Sequence, residues 1–296
     1  MGWANRNVFQ GLALVAYGSS STPGSFEIWD KNTEGIKGSD QYFFGAALTC
    51  GDFDGNGIDD MASGNASTFG YVIDSVNAIY GSSSGLTEAG DQYWKEDTEG
   101  VKGSGADNDE FGGSLTTGDF NGDDYADLAI GVWADDAIVE NGGQVNVLYG
   151  SATGLTATGD DLWRQGAPGV SGTPEVDDFF GWVLAAGDFN DDGFSDLAIG
   201  SPYEGLDGKS DVGIVQIIYG SATGLDSTTS ATIHQDSPDV KGTPGTRDYF
   251  GFSLAAGDFD DDGVATWPWA SLATPFGPIT ALKGRSTFCS DEAAAG

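Results

Sequence analysis

Basic residues are scarce in this chain. Its 296 residues include 11 Lys and Arg against 46 Asp and Glu, with a single histidine, and the formal net charge is −35. Recognition of nucleic acid or of an anionic membrane surface depends on clustered Lys and Arg. The composition therefore argues against both partner classes and favours a chain that neutralises itself with bound cations.

Long apolar runs and cysteines are also in short supply. No run is long enough for a membrane-spanning helix, so direct membrane insertion is not expected. The N-terminus shows no basic region followed by an apolar stretch, so no signal peptide is visible. Of the two cysteines, Cys50 stands where sister repeats have Thr or Ala. We predict that Cys50 is a small buried residue and that it forms neither a disulfide with Cys289 nor a metal–thiolate site.

A segment of about 70 residues recurs along the sequence. Its anchors are 67, 69 and 70 residues apart, at Asp52, Asp119, Asp188 and Asp258. Each repeat reads as about four short β-rich runs between Gly and Asp turns, without helical periodicity. An even, long period of four-stranded units predicts an all-β protein with the architecture of a β-propeller. A parallel β-helix is the alternative, but its repeat is much shorter.

The repeat predicts a division of the chain into blades. Its parts are the C-terminal part of a preceding blade at 1–43, blades at 44–110, 111–179 and 180–249, and the start of another at 250–265. Since propellers close with four to eight blades, we expect the remaining blades to belong to a longer chain. Residues 266–296 are predicted to be an out-of-frame tail. Thr266 and Pro268 replace the expected strand, and restoring one base can return the repeat pattern.

Two short motifs have both a structural and a chemical interpretation. Phe-Gly pairs begin at Phe44, Phe111, Phe180 and Phe250. We expect the ring to pack between sheets and the glycine to allow close backbone approach. The segment 81–85 matches the G-x-S-x-G nucleophile pattern, but Ser83 is replaced by alanine in both sister copies. We interpret it as a strand-ending turn, find no catalytic set, and predict that the chain is not an enzyme.

Oxygen-bearing side chains stand at alternate positions of the loop that follows each anchor. Counted from the anchor, positions one, three, five and nine are Asp or Asn, and position seven would offer its backbone carbonyl. The predicted metal ligands are Asp52, Asp54, Asn56, Ile58 and Asp60; Asp119, Asn121, Asp123, Tyr125 and Asp127; and Asp188, Asn190, Asp192, Phe194 and Asp196. The fourth copy retains Asp258, Asp260 and Asp262, but Thr266 takes position nine, so we predict an incomplete site there.

Oxygen ligands without Cys or His select Ca²⁺, or more weakly Mg²⁺, over zinc and copper. An ordinary Asp/Asn/Gly turn is the alternative. Recurrence at one phase favours a cation, because crowded carboxylates repel one another without it. We therefore predict about one Ca²⁺ for each complete loop. The loop is not an EF-hand, since position twelve is Ser63, Ile130 or Ile199 and no helix flanks it. Asp124 replaces the glycine of position six, so the second loop is expected to be looser.

Together these motifs resemble the FG-GAP repeat family, whose repeats build the N-terminal β-propeller of integrin α chains. The resemblance covers roughly residues 9–264. It is closest where Phe180-Gly181, the acidic loop and Gly200-Ser201-Pro202 follow in order, whereas Gly131-Val132-Trp133 departs from the second signature. It implies a calcium-stabilised propeller, usually of seven blades, that binds protein or carbohydrate ligands outside the cell.

Our leading functional hypothesis is a calcium-binding propeller module for extracellular recognition or cell adhesion. Its partner would be an extracellular protein or carbohydrate that the sequence does not identify, and its location would be extracellular or at the cell surface. The signal peptide would then belong to a missing N-terminal part. The alternatives are a non-catalytic propeller of a secreted hydrolase, lyase or phospholipase, and a lectin-like propeller with sugar pockets built from the repeated tryptophans.

Overall fold

The computed structural model describes residues 11–18, 24–38, 43–65, 74–106, 108–238, 240–258, 265 and 269–270. Within these residues the regular secondary structure consists of β-strands alone, which confirms the all-β class. Among the same residues there is no helix long and apolar enough to cross a membrane.

Three four-stranded antiparallel sheets follow one another along the chain. The first contains β3 (Ala47–Gly51), β4 (Asp60–Gly64), β5 (Val76–Ser82) and β6 (Gly85–Trp94). The second contains β7 (Phe111–Gly118), β8 (Asp127–Val132), β9 (Gln144–Tyr149) and β10 (Thr156–Trp163). The third contains β11 (Val183–Gly187), β12 (Asp196–Ser201), β13 (Ile214–Tyr219) and β14 (Asp226–Ile233). In each sheet the strands pair in chain order, as an up-and-down meander.

The sheets are arranged as blades of a β-propeller. Their first strands lie side by side, with β3 contacting β7, and β7 contacting β11. This contact between first strands is what radial sheets around a common axis require. The three complete sheets, with partial ones before and after them, form an incomplete propeller.

Partial sheets flank the three complete ones. Before them, β1 (Ala13–Ala16) pairs with β2 (Phe26–Trp29). After them, β15 (Ser253–Leu254) pairs with β16 (Trp269–Ala270), which lies in the segment predicted to be out of frame. The pair Ser253↔Ala270 has the same register as Val183↔Gly200, seventy residues earlier. These two tail residues therefore occupy the place of a second strand, while the rest of 266–296 lies outside the described residues.

The Phe-Gly pairs pack between neighbouring sheets, as predicted. Their four rings are at most 1% exposed. At Gly112 φ is +90°, and an added Cβ would lie 2.7 Å from Val76 Cγ2 of the preceding sheet. Glycine is required there both by the left-handed backbone and by the close approach of the two sheets.

A Tyr-Gly-Ser triplet recurs once in each repeat, beginning at Tyr17, Tyr80, Tyr149 and Tyr219. The tyrosine of one sheet bonds to the turn of the next sheet. The hydroxyl of Tyr80 accepts a hydrogen bond from Leu155 N at 3.1 Å and donates to Gln92 Oε1 at 2.5 Å. Leu155 follows the turn of the next sheet, whose Gly154 has φ of +90° and lies against that hydroxyl. Tyr17 accepts from Leu86 N in the same way, at 2.8 Å. The turn that matches the nucleophile pattern is thus a strand-ending turn that receives the preceding blade's tyrosine.

The prediction for the cysteines is wrong at Cys50. This residue is disulfide-bonded and half-buried. The chain's other cysteine, Cys289, lies outside the described residues. Comparison among repeats suggested a small apolar residue because the other copies carry Thr or Ala, and a bond that only this copy makes leaves no trace in that comparison.

Candidate functional site

The three acidic loops each join the first strand of a sheet to its second strand. They lie between β3 and β4, between β7 and β8, and between β11 and β12. The anchor aspartate follows directly after the first strand, and the position-nine aspartate opens the second. The hairpin therefore brings the two ends of every loop together where the first strand ends and the second strand begins.

In the first loop, backbone amides already converge on the predicted ligands. Asp52 accepts hydrogen bonds from Asn56 N at 3.0 Å and from Gly57 N at 2.7 Å. Asn56 N also reaches Asp54 Oδ1 at 3.1 Å. One carboxylate oxygen each from Asp52, Asp54 and Asp60 lies within 4.8 Å of the other two. Oxygens this close repel unless a cation or proton lies among them.

The second and third loops repeat this bonding. In the second, Asp119 accepts from Asp123 N at 3.1 Å and from Asp124 N at 3.0 Å. In the third, Asp188 accepts from Asp192 N at 3.2 Å and from Gly193 N at 2.9 Å. Position five accepts the position-seven amide in all three loops, through Asn56, Asp123 and Asp192. The side chains at positions one, three and five thus turn to the same side of each loop.

The position-nine aspartates are the buried members of the predicted ligand set. Asp60 is 1% exposed, and Asp127 and Asp196 are fully buried. Asp60 accepts from Phe53 N at 2.8 Å and from Gly81 N at 2.7 Å, so it ties the loop to the end of the third strand. Burial is the main cause that raises the pKa of Asp60 to about 7; the two amides lower this pKa in part, and the charges of Asp54 and Asp52 add to the increase. Burial likewise is the main cause that raises the pKa of Asp127 to about 7 and the pKa of Asp196 to about 6.

Left-handed backbone occurs at two positions of each loop. Position six was expected to need glycine, and Asp124 nevertheless adopts φ of +67°, close to Gly57 at +84°. Its amide reaches Asp119 as Gly57 N reaches Asp52. The backbone bonding of the loop thus holds aspartate in the conformation that glycine has elsewhere, and a looser second loop stays a prediction.

Position seven has a packing role that the sequence analysis missed. The ring of Tyr125 packs on Gly55 of the preceding loop, where an added Cβ would lie 2.5 Å from Cε1. Phe194 covers Gly122 in the same way, also at 2.5 Å. A recurring glycine at position four, paired with an aromatic residue one repeat later, was the available signal.

Successive loops are also joined through the backbone. Ala126 N donates to the carbonyl of Asp52 at 2.9 Å, and Ser195 N donates to that of Asp119 at 2.8 Å. Ala265 N reaches Asp188 at 3.1 Å, which extends the pattern to the fourth loop. Of the fourth predicted site only Asp258 is among the described residues; Asp260 and Asp262 lie outside them. The conformation of one loop therefore affects the hydrogen bond that the loop makes with the next blade.

Half-buried aromatic rings line the opposite end of the sheets, where second strands end and first strands begin. The row consists of Trp133, Phe179, Trp182, Tyr203, Tyr249 and Phe252. Consecutive rings lie close together; the centroids of Trp133 and Trp182 are 5.0 Å apart, and those of Tyr203 and Tyr249 are 5.1 Å apart. By contrast, the repeated Trp29 and Trp94 are 5% and 9% exposed and offer no surface for stacking a sugar.

The blades and their loops define a propeller of FG-GAP repeats. The family model described as FG-GAP repeat matches residues 111–148 and 180–218. Each match begins at a Phe-Gly pair, passes through an acidic loop and ends in the third strand. The chain is therefore an FG-GAP repeat protein.

Relatives give the kind of FG-GAP domain. Integrin alpha-V of Gallus gallus is 31% identical over 238 residues, covering 76% of this chain and 19% of that protein. Integrin alpha pat-2 of Caenorhabditis briggsae is 30% identical over 267 residues, covering 81% and 19%. Phosphatidylinositol-glycan-specific phospholipase D of Bos taurus is 32% identical over 172 residues, covering 57% and 19%. The chain thus has an integrin-α-like FG-GAP domain, and it spans about a fifth of these relatives' length.

Proposed function

We propose that this chain is a calcium-binding FG-GAP propeller module for extracellular recognition or cell adhesion. The observation that carries the proposal is the recurrence of one pattern of backbone hydrogen bonds to the acidic side chains in three consecutive loops. Three unrelated acidic turns would not share the same backbone bonds to positions one and five. The integrin relatives support the recognition role.

Each ion would clamp the hairpin between the first and second strands of its blade. The ligands we assign are the predicted ones: carboxylate or amide oxygens at positions one, three, five and nine, with the backbone carbonyl of position seven. In the first loop, one carboxylate oxygen each from Asp52, Asp54 and Asp60 lies within 4.8 Å of the other two, which suits a shell with Ca²⁺–oxygen distances of about 2.3–2.6 Å. Because the loops bond to the next blade, the ion would also stabilise the interface between blades. The fourth loop stays a weaker candidate.

Counting bound ions tests the calcium assignment. We expect Asp119→Asn to weaken Ca²⁺ binding in the second loop by about tenfold or more, because the loop loses one charged ligand. Equilibrium dialysis of the full chain at limiting Ca²⁺ should then show one bound ion fewer. Asp124→Asn is the matched control: it removes one charge from the same loop at an exposed position that is not a ligand. An equal loss of bound Ca²⁺ in both variants would mean that the loop attracts Ca²⁺ only as an acidic surface and has no specific site.

The aromatic row is the surface we assign to recognition. It lies away from the calcium loops, and its rings are partly exposed, as binding residues at interfaces are. Trp182 contacts four other rings of the row, at centroid distances of 5.0–5.8 Å. The partner would be an extracellular protein or carbohydrate.

Adhesion of suspended cells to the immobilised protein tests this role, with a glycan array in parallel. We expect adhesion that EDTA abolishes and that Trp182→Ala weakens by about 30-fold, the effect of losing a central aromatic contact. Phe26→Ala removes a ring that is 58% exposed on β2 and should change nothing. Glycan binding on the array, together with cell adhesion that depends on glycans alone, would favour the lectin-like alternative. No binding in either assay would contradict both the adhesion role and the lectin-like role.

A second candidate is supported by the phospholipase match, which covers 57% of the chain. In that case the propeller would be a non-catalytic module attached to a secreted hydrolase, lyase or phospholipase. The calcium loops would have the same structural role, so ion counting does not separate the two candidates. The adhesion assay does, because an enzyme-attached module need not hold cells.

A further inference from the structure

Three buried carboxylates meet where the first complete sheet adjoins the second. Glu96, Asp109 and Asp135 are each 4% exposed. One oxygen from each lies within 4.8 Å of the other two. Glu96 follows β6, Asp109 precedes β7 and Asp135 follows β8, so the cluster lies at the end of the sheets opposite the calcium loops.

A buried amide beside these carboxylates adds another oxygen without a donor. Gln144 opens β9 and is fully buried. Its Nε2 donates to Glu96 Oε1 at 2.5 Å. Its Oε1 has no hydrogen-bond partner among the described residues. Buried amide oxygens usually have a partner; within the part of the chain that the structure describes, those of Asn65, Asn146, Gln165 and Gln235 also lack one, and Gln144 is distinguished by its place beside three carboxylates. This corner of the structure therefore holds more acceptors than donors.

Electrostatics give the same picture of surplus negative charge. Burial, then the charges of Asp135 and Asp109, raise the pKa of Glu96 well above its usual range. Burial also raises the pKa of Asp135, and the charge of Arg164 offsets only part of that shift. Holding several ionised carboxylates in a buried space is costly unless positive charge lies among them.

We propose that Glu96, Asp109 and Asp135 bind a divalent cation of the Ca²⁺ class between two blades, with the Gln144 amide oxygen as a further ligand. At Ca²⁺–oxygen distances of about 2.3–2.6 Å, ligands on opposite sides of one ion lie about 4.6–5.2 Å apart. The three carboxylate oxygens lie within 4.8 Å of one another, so all three can reach one ion. An all-oxygen set excludes the softer metals.

The site has a route to solvent. A cleft of about 210 Å³ is lined by Asp74, Glu96, Asp97 and Asp109 among others. Its lining carries four carboxylates against the single ammonium of Lys95, and the resulting negative charge draws a hydrated cation toward the cluster. An ion at its end would tie the loop after β6 to the second sheet, and so fix the angle between two blades on the face that carries the aromatic row.

The next blade boundary offers a natural comparison. Gln165 takes the place of Glu96 there, and it donates to Glu204 Oε2 at 2.5 Å. Asp178 takes the place of Asp109, and Glu204 that of Asp135. This boundary has two of the three carboxylates, and within the described part of the chain it does not form a group of three. The Glu96→Gln variant therefore introduces a side chain that the same fold already accepts one repeat later.

Calcium binding by the full chain tests the proposal. We expect equilibrium dialysis to show one Ca²⁺ fewer for Glu96→Gln than for the unaltered chain, and the same loss for Asp135→Asn. Glu99→Gln is the matched control, because it removes one charge three residues away at an exposed position and should bind the full number. Near-ultraviolet circular dichroism of each variant checks that the tryptophans keep their packing.

A triple variant separates this site from the loops. Asp52→Asn, Asp119→Asn and Asp188→Asn together should weaken the three loops and leave the ion of the Glu96 cluster bound. Equal ion counts for Glu96→Gln and the unaltered chain would overturn the proposal; if Glu96→Gln were also more stable without calcium, protons would be what neutralises the cluster. Equal counts for the triple variant would instead overturn the calcium loops, so the two failures are distinguishable.

Discussion

Adding millimolar Ca²⁺ to the calcium-free chain is expected to raise its thermal unfolding midpoint by about 3–6 °C for each loop that binds. A ligand at ten times its dissociation constant contributes about 1.4 kcal/mol, and 1 kcal/mol shifts the midpoint of a domain of this size by about 2–4 °C. The gain comes from carboxylates such as Asp52 and Asp54, whose repulsion the ion removes. Circular dichroism melts with EDTA and with Ca²⁺ measure it.

The size of this shift should follow the number of intact loops. Asp188→Asn is expected to lower the calcium-dependent part, while Asp236→Asn, at an exposed position outside the loops, should leave it unchanged. Mg²⁺ should shift the midpoint less, because it demands a smaller octahedral shell. A midpoint that does not respond to millimolar Ca²⁺ would contradict the calcium assignment, since extracellular sites bind in that range.

The sequence predicted the fold and the loops because both are encoded locally. Four strands between Gly and Asp turns repeat at one period, so a correct interpretation of one unit also predicts the structure of the others. Alternate oxygens around a tight turn, as in Asp52, Asp54 and Asn56, are close in space because they are close in sequence. Asp60 bonds to Phe53 N in the same loop and to Gly81 N at the end of the third strand, so both partners belong to the same repeat.

Features that join separate loops escaped the sequence analysis. Glu96, Asp109 and Asp135 are spread over forty residues and stand in no regular spacing, so only the packing of two sheets brings them together. The aromatic row likewise draws on three blades. The bond of Cys50 has no counterpart in the other repeats, which carry Thr or Ala at that position. A repeat describes what each blade has in common, and these features depend on how neighbouring blades differ.

Phe120→Ala is expected to destabilise the chain by about 3–5 kcal/mol, the cost of removing a fully buried aromatic ring. Phe120 is position two of the second loop and is 0% exposed, in a core cluster that includes Val147, Phe180 and Leu197. Urea unfolding of the calcium-loaded protein measures the change. Phe26→Ala provides the control, because that ring is 58% exposed and its loss should change stability by less than about 0.5 kcal/mol.

The same substitution should weaken calcium binding, although Phe120 is not a ligand. Its N–H donates to Asp127 at 2.8 Å, and its carbonyl accepts from Ser221 N of the next blade at 3.2 Å. The ring therefore fixes the backbone on which Asp119 and Asn121 stand, and a ligand shell loses affinity when its support is mobile. Isothermal titration should show weaker binding in the second loop with the first and third unchanged. Full affinity in a destabilised variant would mean that the loop keeps its shape without the core.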